Sequence, residues 1–219
     1  MTDTTGVASY ARPEYWDIRY QKDPEVIEWH QMSWPALKES FAPYVKPTES
    51  ILNVGCGNSL MSEEMFDEGF KTITNIDVSS VLITQMQTKY QDKPGLIYRQ
   101  MDCRHMDGFP DASFNSVIDK ATLDSIVCGE GSATNVQKYL SEVSRVLKPN
   151  GTFLMVSHAQ PQYRQNYVNK DIYGWTIEVL SIPRPVLNVP IPGSDEKDNF
   201  YYVYVCQKGA RKHWLPKVT

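Results

Sequence analysis

The chain has 219 residues, of which 41% are hydrophobic and 22% charged, with a net charge of −4. That length suits one large domain with a substantial core, and the acidic balance argues against a nucleic-acid binder, which would show a basic face. Cys56, Cys103, Cys128 and Cys206 lie far apart without a CxxC pair, so neither zinc nor a disulfide scaffold is indicated. No apolar run approaches the ~18 residues of a membrane span. The start of the chain also lacks the basic and apolar stretches of a signal peptide. A cytoplasmic protein is the expectation.

Residues 1–12 are small and polar, and disorder is expected there. From Pro13 to about residue 45 aromatics accumulate (Tyr15, Trp16, Tyr20, Trp29, Trp34, Phe41, Tyr44), which reads as short helices that must pack on something. Pro24 is placed to open the second of them. Residues 51–208 then alternate strand and helix. Ile51 to Val54 is a buried strand running into Gly55-Cys56-Gly57-Asn58, with a helix from about Ser59 that ends at Gly69. Thr72 to Ile76 is a strand stopping at Asp77, and Ser79 or Ser80 can cap the helix behind it. Leu96 to Arg99 is the third strand, with Asp102 just beyond. Phe114 to Ile118 is the fourth and leads into Asp119-Lys120-Ala121-Thr122-Leu123-Asp124. Val136, Tyr139, Leu140, Val143, Val146 and Leu147 repeat at helical spacing. Pro149-Asn150-Gly151 then turns the chain into a fifth strand, Thr152 to Ser157. This rhythm means a parallel sheet covered by helices on both faces. Trp175 to Ile182 and Phe200 to Gln207 read as a closing antiparallel pair, joined by a proline-containing loop over 183–199.

Gly55 and Gly57 fall at the carboxyl end of the first strand, where open parallel sheets bind ligands. Leu60 stands where the dinucleotide fingerprint has its third small residue, which weakens a nicotinamide reading. Asp77 ends the second strand, where a carboxylate can accept from both hydroxyls of a ribose. Asp102, beyond the third, can accept from an adenine amino group, with Cys103 beside it. Each feature alone also suits a tight turn or a solvated strand-end acid; together, on three successive strands, they point to an adenosine-containing ligand.

The stretches Tyr15-Trp16-Asp17-Ile18-Arg19-Tyr20, Asn53-Val54-Gly55-Cys56-Gly57-Asn58-Ser59, Asp77-Val78-Ser79-Ser80 and Asp119 to Asp124 then carry a resemblance. With Leu140 to Leu147 and Tyr173-Gly174-Trp175, they resemble the class I methyltransferases, and within them the elongation factor 1A lysine methyltransferases of the methyltransferase-like 13 type. Asp119 and Ala121 replace the usual glutamate and glycine of that pattern, and the 183–199 loop has no counterpart in it. The resemblance implies an α/β, Rossmann-like seven-stranded sheet in the order 3-2-1-4-5-7-6, with strand 7 antiparallel. Helices cover both faces, and residues 13–45 form an N-terminal helical lid on a single domain spanning 13–219. It implies S-adenosylmethionine contacts at Trp16, Tyr20, Trp29, Gly55, Gly57, Asp77, Val78, Asp102, Cys103 and Lys120, the last through its backbone. A lysine side chain of a protein such as elongation factor 1A is the implied acceptor.

The sulfonium donor is already activated, so alignment and exclusion of water are the main tasks. Aromatic faces from the lid can add cation–π attraction, or they can simply pack. Asp119 and Asp124 can orient an acceptor ammonium, though either can also be a helix cap. No dedicated base is evident. His30, His105, His158 and His213 show no metal-ligand spacing, so no metal is expected. A small-molecule N- or O-methyltransferase on the same fold is the alternative.

Overall fold

The computed structural model describes residues 9–23, 25–184 and 199–209. Its sheet comprises β1 (Ser50–Val54), β2 (Thr72–Asp77), β3 (Leu96–Gln100), β4 (Phe114–Lys120), β5 (Leu147–Ser157), β6 (Trp175–Pro183) and β7 (Phe200–Lys208). The order is β3-β2-β1-β4-β5-β7-β6. β1 to β5 pair in parallel, and β7 runs antiparallel between β5 and β6. The order and the reversed strand are those the family resemblance implies.

Successive residues of a strand point to opposite faces, and the two cores follow from that. Ile51 and Ile73 face one cluster with Met65, Leu82, Trp34 and Phe41. Leu52, Val54 and Ile76 face the other, with Val136, Tyr139, Leu140, Val143 and Val146. Those last five line one side of the helix Ser132–Val146. β1 is buried on both faces for the same reason, and so reads as a continuous apolar run.

The N-terminal segment holds two helices, α1 (Pro13–Lys22) and α2 (Trp34–Phe41), each with proline in its first turn. Pro24 lies outside the described residues, and residues 25–28 carry no helix. That stretch has another task. The Ile27 amide donates to Asn58 Oδ1 at 2.9 Å, and Asn58 Nδ2 donates to the Glu25 carbonyl at 2.7 Å. Helical geometry would consume those backbone groups internally. Asp17 fixes α1 by accepting from Ser79 Oγ at 2.6 Å. Ser79 also caps the next helix, α3 here being Met61–Asp67 and α4 Ser80–Lys89.

Several boundaries differ from expectation. Ser9–Ala11 form a 3-10 turn, so the disorder expected over 1–12 does not hold for residues 9–12, while residues 1–8 lie outside the described set. The Tyr10 ring packs on Tyr15, Trp16 and Trp29, and its carbonyl accepts from Trp16 Nε1 at 2.8 Å. β5 begins at Leu147, ahead of Pro149-Asn150-Gly151, because a register shift against β4 absorbs the turn. β4 runs on to Lys120, which puts Asp119 inside the sheet. Most of the expected 183–199 loop, residues 185–198, lies outside the described residues, and Pro183 is the last residue of β6.

Candidate active site

The carboxyl ends of β1 to β4 open on a common cleft. Trp16, Tyr20, Trp29, Gly55, Gly57, Asp77, Val78, Asp102, Cys103 and Lys120 all line it. Asp119 and Asp124 do not. Tyr10, Arg12, Arg104, Thr122, Ser125 and Asn135 also line the cleft and went unnoticed in the sequence, where nothing in their spacing marks them.

The glycine turn is forced by its surroundings. Gly55 and Gly57 have φ of +58° and +53°, a region that side chains disfavour. A Cβ on Gly55 would lie 2.1 Å from Thr122 Oγ1, and one on Gly57 3.0 Å from the Tyr20 hydroxyl. The Gly57 amide donates to Asp77 Oδ2 and the Ser79 amide to Asp77 Oδ1, both at 3.0 Å. Burial raises the Asp77 carboxyl above its ordinary range, opposed by these backbone bonds. Each oxygen keeps acceptor capacity beyond its one amide. Asp102 is held differently. Arg104 Nε and Nη2 grip it at 2.7–3.0 Å, and although burial opposes the charge, these bonds hold the carboxyl below its ordinary range. Burial pushes the Cys103 thiol well up.

One wall is aromatic: Trp16 stacks on Tyr20 with centroids 6.0 Å apart and meets Trp29 edge-on at 6.1 Å. The buried Lys120 ammonium is turned into the protein, donating to Glu28 Oε2 at 2.8 Å. Burial lowers its pKa, against the opposing charge of Glu28. Glu28 also accepts from Ser59 Oγ and from the Leu60 amide at 2.6 Å. This one carboxylate therefore ties the N-terminal segment to β4 and to the residues leading into α3.

Asp119 does not reach an acceptor position. It is fully buried, accepting from the Thr122 amide at 2.7 Å, the Leu123 amide at 3.0 Å and the Tyr139 hydroxyl at 2.8 Å. Because β4 extends past it, the strand pleat turns its side chain inward, where it caps the start of α5 (Thr122–Val127). Burial pushes its carboxyl up to about 7, against those three bonds.

Asp124, in the first turn of α5, enters a separate cluster. Its Oδ1 accepts from Ser157 Oγ at 2.6 Å and from Arg164 Nη2 at 2.9 Å; its Oδ2 meets His158 Nδ1 at 2.7 Å. Burial opposes its charge, but His158, Arg164 and Ser157 outweigh it and hold the carboxyl below its ordinary range. His30 lies 3.7 Å from the same Oδ2, its ring 4.7 Å from that of Tyr201. The ligating atoms of His30, Asp124 and His158 fall within 4.8 Å of one another, a grouping that histidine spacing did not reveal. A metal ion there would compete with the Arg164 guanidinium for the same carboxylate, which makes this donor set a poor fit for one.

A parallel sheet with one reversed strand, a glycine turn after β1 and acids after β2 and β3 define the S-adenosylmethionine-dependent methyltransferases of class I. Residues 52–155 match the family described as a methyltransferase domain. The chain is 36% identical over 178 residues to EEF1A lysine methyltransferase 4 of Bos taurus, covering 77% of this chain and 69% of that protein. It is 37% identical over 174 residues to the Homo sapiens eEF1A lysine and N-terminal methyltransferase, of which it covers 25%. Among solved structures, a SAM-dependent methyltransferase from Methanosarcina mazei has a TM-score of 0.59 at 18% identity, covering 78% of this chain and 98% of that one. The Burkholderia thailandensis 1,6-didemethyltoxoflavin-N1-methyltransferase, with S-adenosylhomocysteine bound, has 0.64 at 14%, covering 92% and 88%. At these identities the structures show the fold. The chain belongs to the methyltransferase family, in the branch of the eEF1A lysine methyltransferases, and its cofactor is S-adenosylmethionine. Among the described residues no helix is long and apolar enough to cross a membrane.

Proposed function

We propose that the protein methylates a lysine side chain of a protein, with elongation factor 1A as the substrate. The identity to eEF1A lysine methyltransferases over 77% of the chain carries this reading. The proposal includes one domain over 13–219, with 13–45 as lid and 51–208 as core, working in the cytoplasm; the four cysteines stand as free thiols, as a reducing compartment requires.

The cofactor supplies an activated methyl group on a sulfonium. The chain supplies its setting. Asp77 has acceptor capacity for two ribose hydroxyls, and Gly55 and Gly57 keep the backbone clear of the ligand. Asp102, Val78 and Cys103 line the end that suits adenine. Trp16, Tyr20 and Trp29 offer ring faces to a sulfonium, each well-placed ring worth on the order of 0.5–2 kcal/mol. Lys120 serves the site by holding Glu28, and with it the lid, so its role lies in its side chain. Asp124 is the carboxylate suited to an incoming ammonium, whereas Asp119 is committed to α5. Holding amine and donor in line can contribute up to roughly 7–11 kcal/mol.

The test is incubation of the purified protein with labelled S-adenosylmethionine, elongation factor 1A, its lysine-to-arginine variants and a panel of small amines and acids. Methylation of one lysine, abolished by its arginine variant, is expected in the mass spectrum. Label found only on small molecules would replace this reading with a small-molecule methyltransferase.

A further inference from the structure

His30 is an unusual residue for its place. Its φ is +64° and that of Gln31 is +55°, so two side-chain-bearing residues in a row hold a backbone shape that favours glycine. Such strain costs about 1–3 kcal/mol per residue and persists where surrounding structure over-determines it. The turn aims the imidazole inward, where its side chain is 8% exposed and Nε2 has no hydrogen-bond partner. A buried, unpartnered nitrogen is itself costly. The ring lies next to the cleft along the chain: Trp29, beside His30, and Ser125, beside Asp124, both line it.

Resting on the lysine-acceptor reading above, we propose that His30 and Asp124 together form the ammonium subsite, and that His30 Nε2 takes the proton the acceptor must lose. The 3.7 Å between Nε2 and Asp124 Oδ2 is too long for a good hydrogen bond. A tetrahedral nitrogen can bridge the two atoms by donating to both, at about 2.8 Å each. The Tyr201 ring, 4.7 Å from His30, walls the site. His158, with a side chain 54% exposed, stands at the mouth; its Nδ1 contacts Oδ2, and it turns aside as the substrate nitrogen takes that place.

The charged groups around His30 are Asp124 from α5, Lys120 at the end of β4, His158 after β5 and Arg184 after β6. Burial first, then Lys120, His158 and Arg184, lower its pKa to about 4 in spite of Asp124, so the imidazole is neutral at neutral pH. Proton transfer moves a positive charge from ammonium to imidazole within one buried space beside Asp124 and creates none. The desolvation that weakens His30 as a base also weakens the ammonium's hold on its proton, so the two effects oppose each other. In the step itself an ammonium N–H bond breaks and the proton binds Nε2. The nitrogen lone pair bonds to the methyl carbon as the carbon–sulfur bond breaks, and that electron pair stays on sulfur. The imidazolium then releases its proton to solvent past His158.

The experiment compares wild type, His30→Asn and His30→Gln on elongation factor 1A between pH 6.5 and 9.5, with S-adenosylmethionine affinity measured by calorimetry. Asparagine tolerates positive φ, and glutamine places an amide near Nε2 without being able to take a proton. Both variants should bind cofactor as wild type does and lose about 100-fold in kcat at neutral pH. The deficit should shrink towards pH 9.5, as free lysine amine becomes available without a base. A kcat within about twofold of wild type, a deficit that does not change with pH, or full activity in His30→Gln would each overturn the proposal. A wild-type enzyme that methylates no protein lysine would instead remove the reading on which it rests, and the proposal with it.

Discussion

Asp77 and Asp124 are both buried carboxylates at the carboxyl edge of one sheet, and they are held in opposite ways. Asp77 accepts from two backbone amides, and burial raises its carboxyl. Asp124 is gripped by Arg164 and His158, which overcome burial and hold its carboxyl low. A carboxylate satisfied by neutral donors has room for more of them, such as sugar hydroxyls. One already surrounded by cationic or ionisable donors exchanges one of them for another, such as an ammonium. Two acids of similar burial thus suit two different ligands because of what surrounds each one.

The largest effect expected of this contrast is on stability. Asp124→Ala leaves the buried Arg164 guanidinium unpaired and should cost about 3–5 kcal/mol in urea unfolding. A loss below about 1 kcal/mol would mean that the cluster is not held by this charge.

Next comes pH. His30 has a folded value of about 4 against an ordinary 6.5, so between these values the folded state binds fewer protons than the unfolded state. Its contribution is therefore intact above pH 6.5 and is lost as pH falls towards 4, by on the order of 3 kcal/mol in all. Asp119, raised to about 7, acts with the opposite sign, its contribution being lost as pH rises from 3.8. Subtracting the His30→Asn profile from the wild-type profile cancels Asp119 and should leave the His30 slope alone. A flat difference between pH 4.5 and 6.5 would contradict this.

On the cofactor side, Asp77→Asn should weaken S-adenosylmethionine binding by about 1.5–3 kcal/mol for each charge-assisted bond lost, read by calorimetry. It should disturb stability less than Asp124→Ala does, because no buried cation is left behind. Equal affinity of variant and wild type would remove Asp77 from the ribose site. The smallest effect belongs to the turn between β4 and α5. Ala121 sits at φ +74°, where the resembling family carries glycine. Ala121→Gly relieves that strain but frees the unfolded chain, for a net gain of about 0.5–1 kcal/mol in urea unfolding.

The parallel sheet, the glycine turn and acids at its carboxyl edge, and the aromatic N-terminal segment are legible in the residue pattern alone. Strand and helix periods are local, and in a parallel sheet each strand end comes to the same edge. Gly55, Asp77 and Asp102 could therefore be placed from their positions just after apolar runs. Asp119 and Asp124 looked equivalent on that basis, a few residues apart after the fourth strand. Only the tertiary structure separated them: β4 continues through Asp119 and its pleat turns that carboxylate under α5, while the first turn of α5 swings Asp124 towards the end of β5. His30, His158 and Arg164 had no local signature at all. They reach Asp124 from the N-terminal segment and from the segment following β5, and no spacing along the chain encodes a meeting that depends on how the N-terminal segment crosses the sheet.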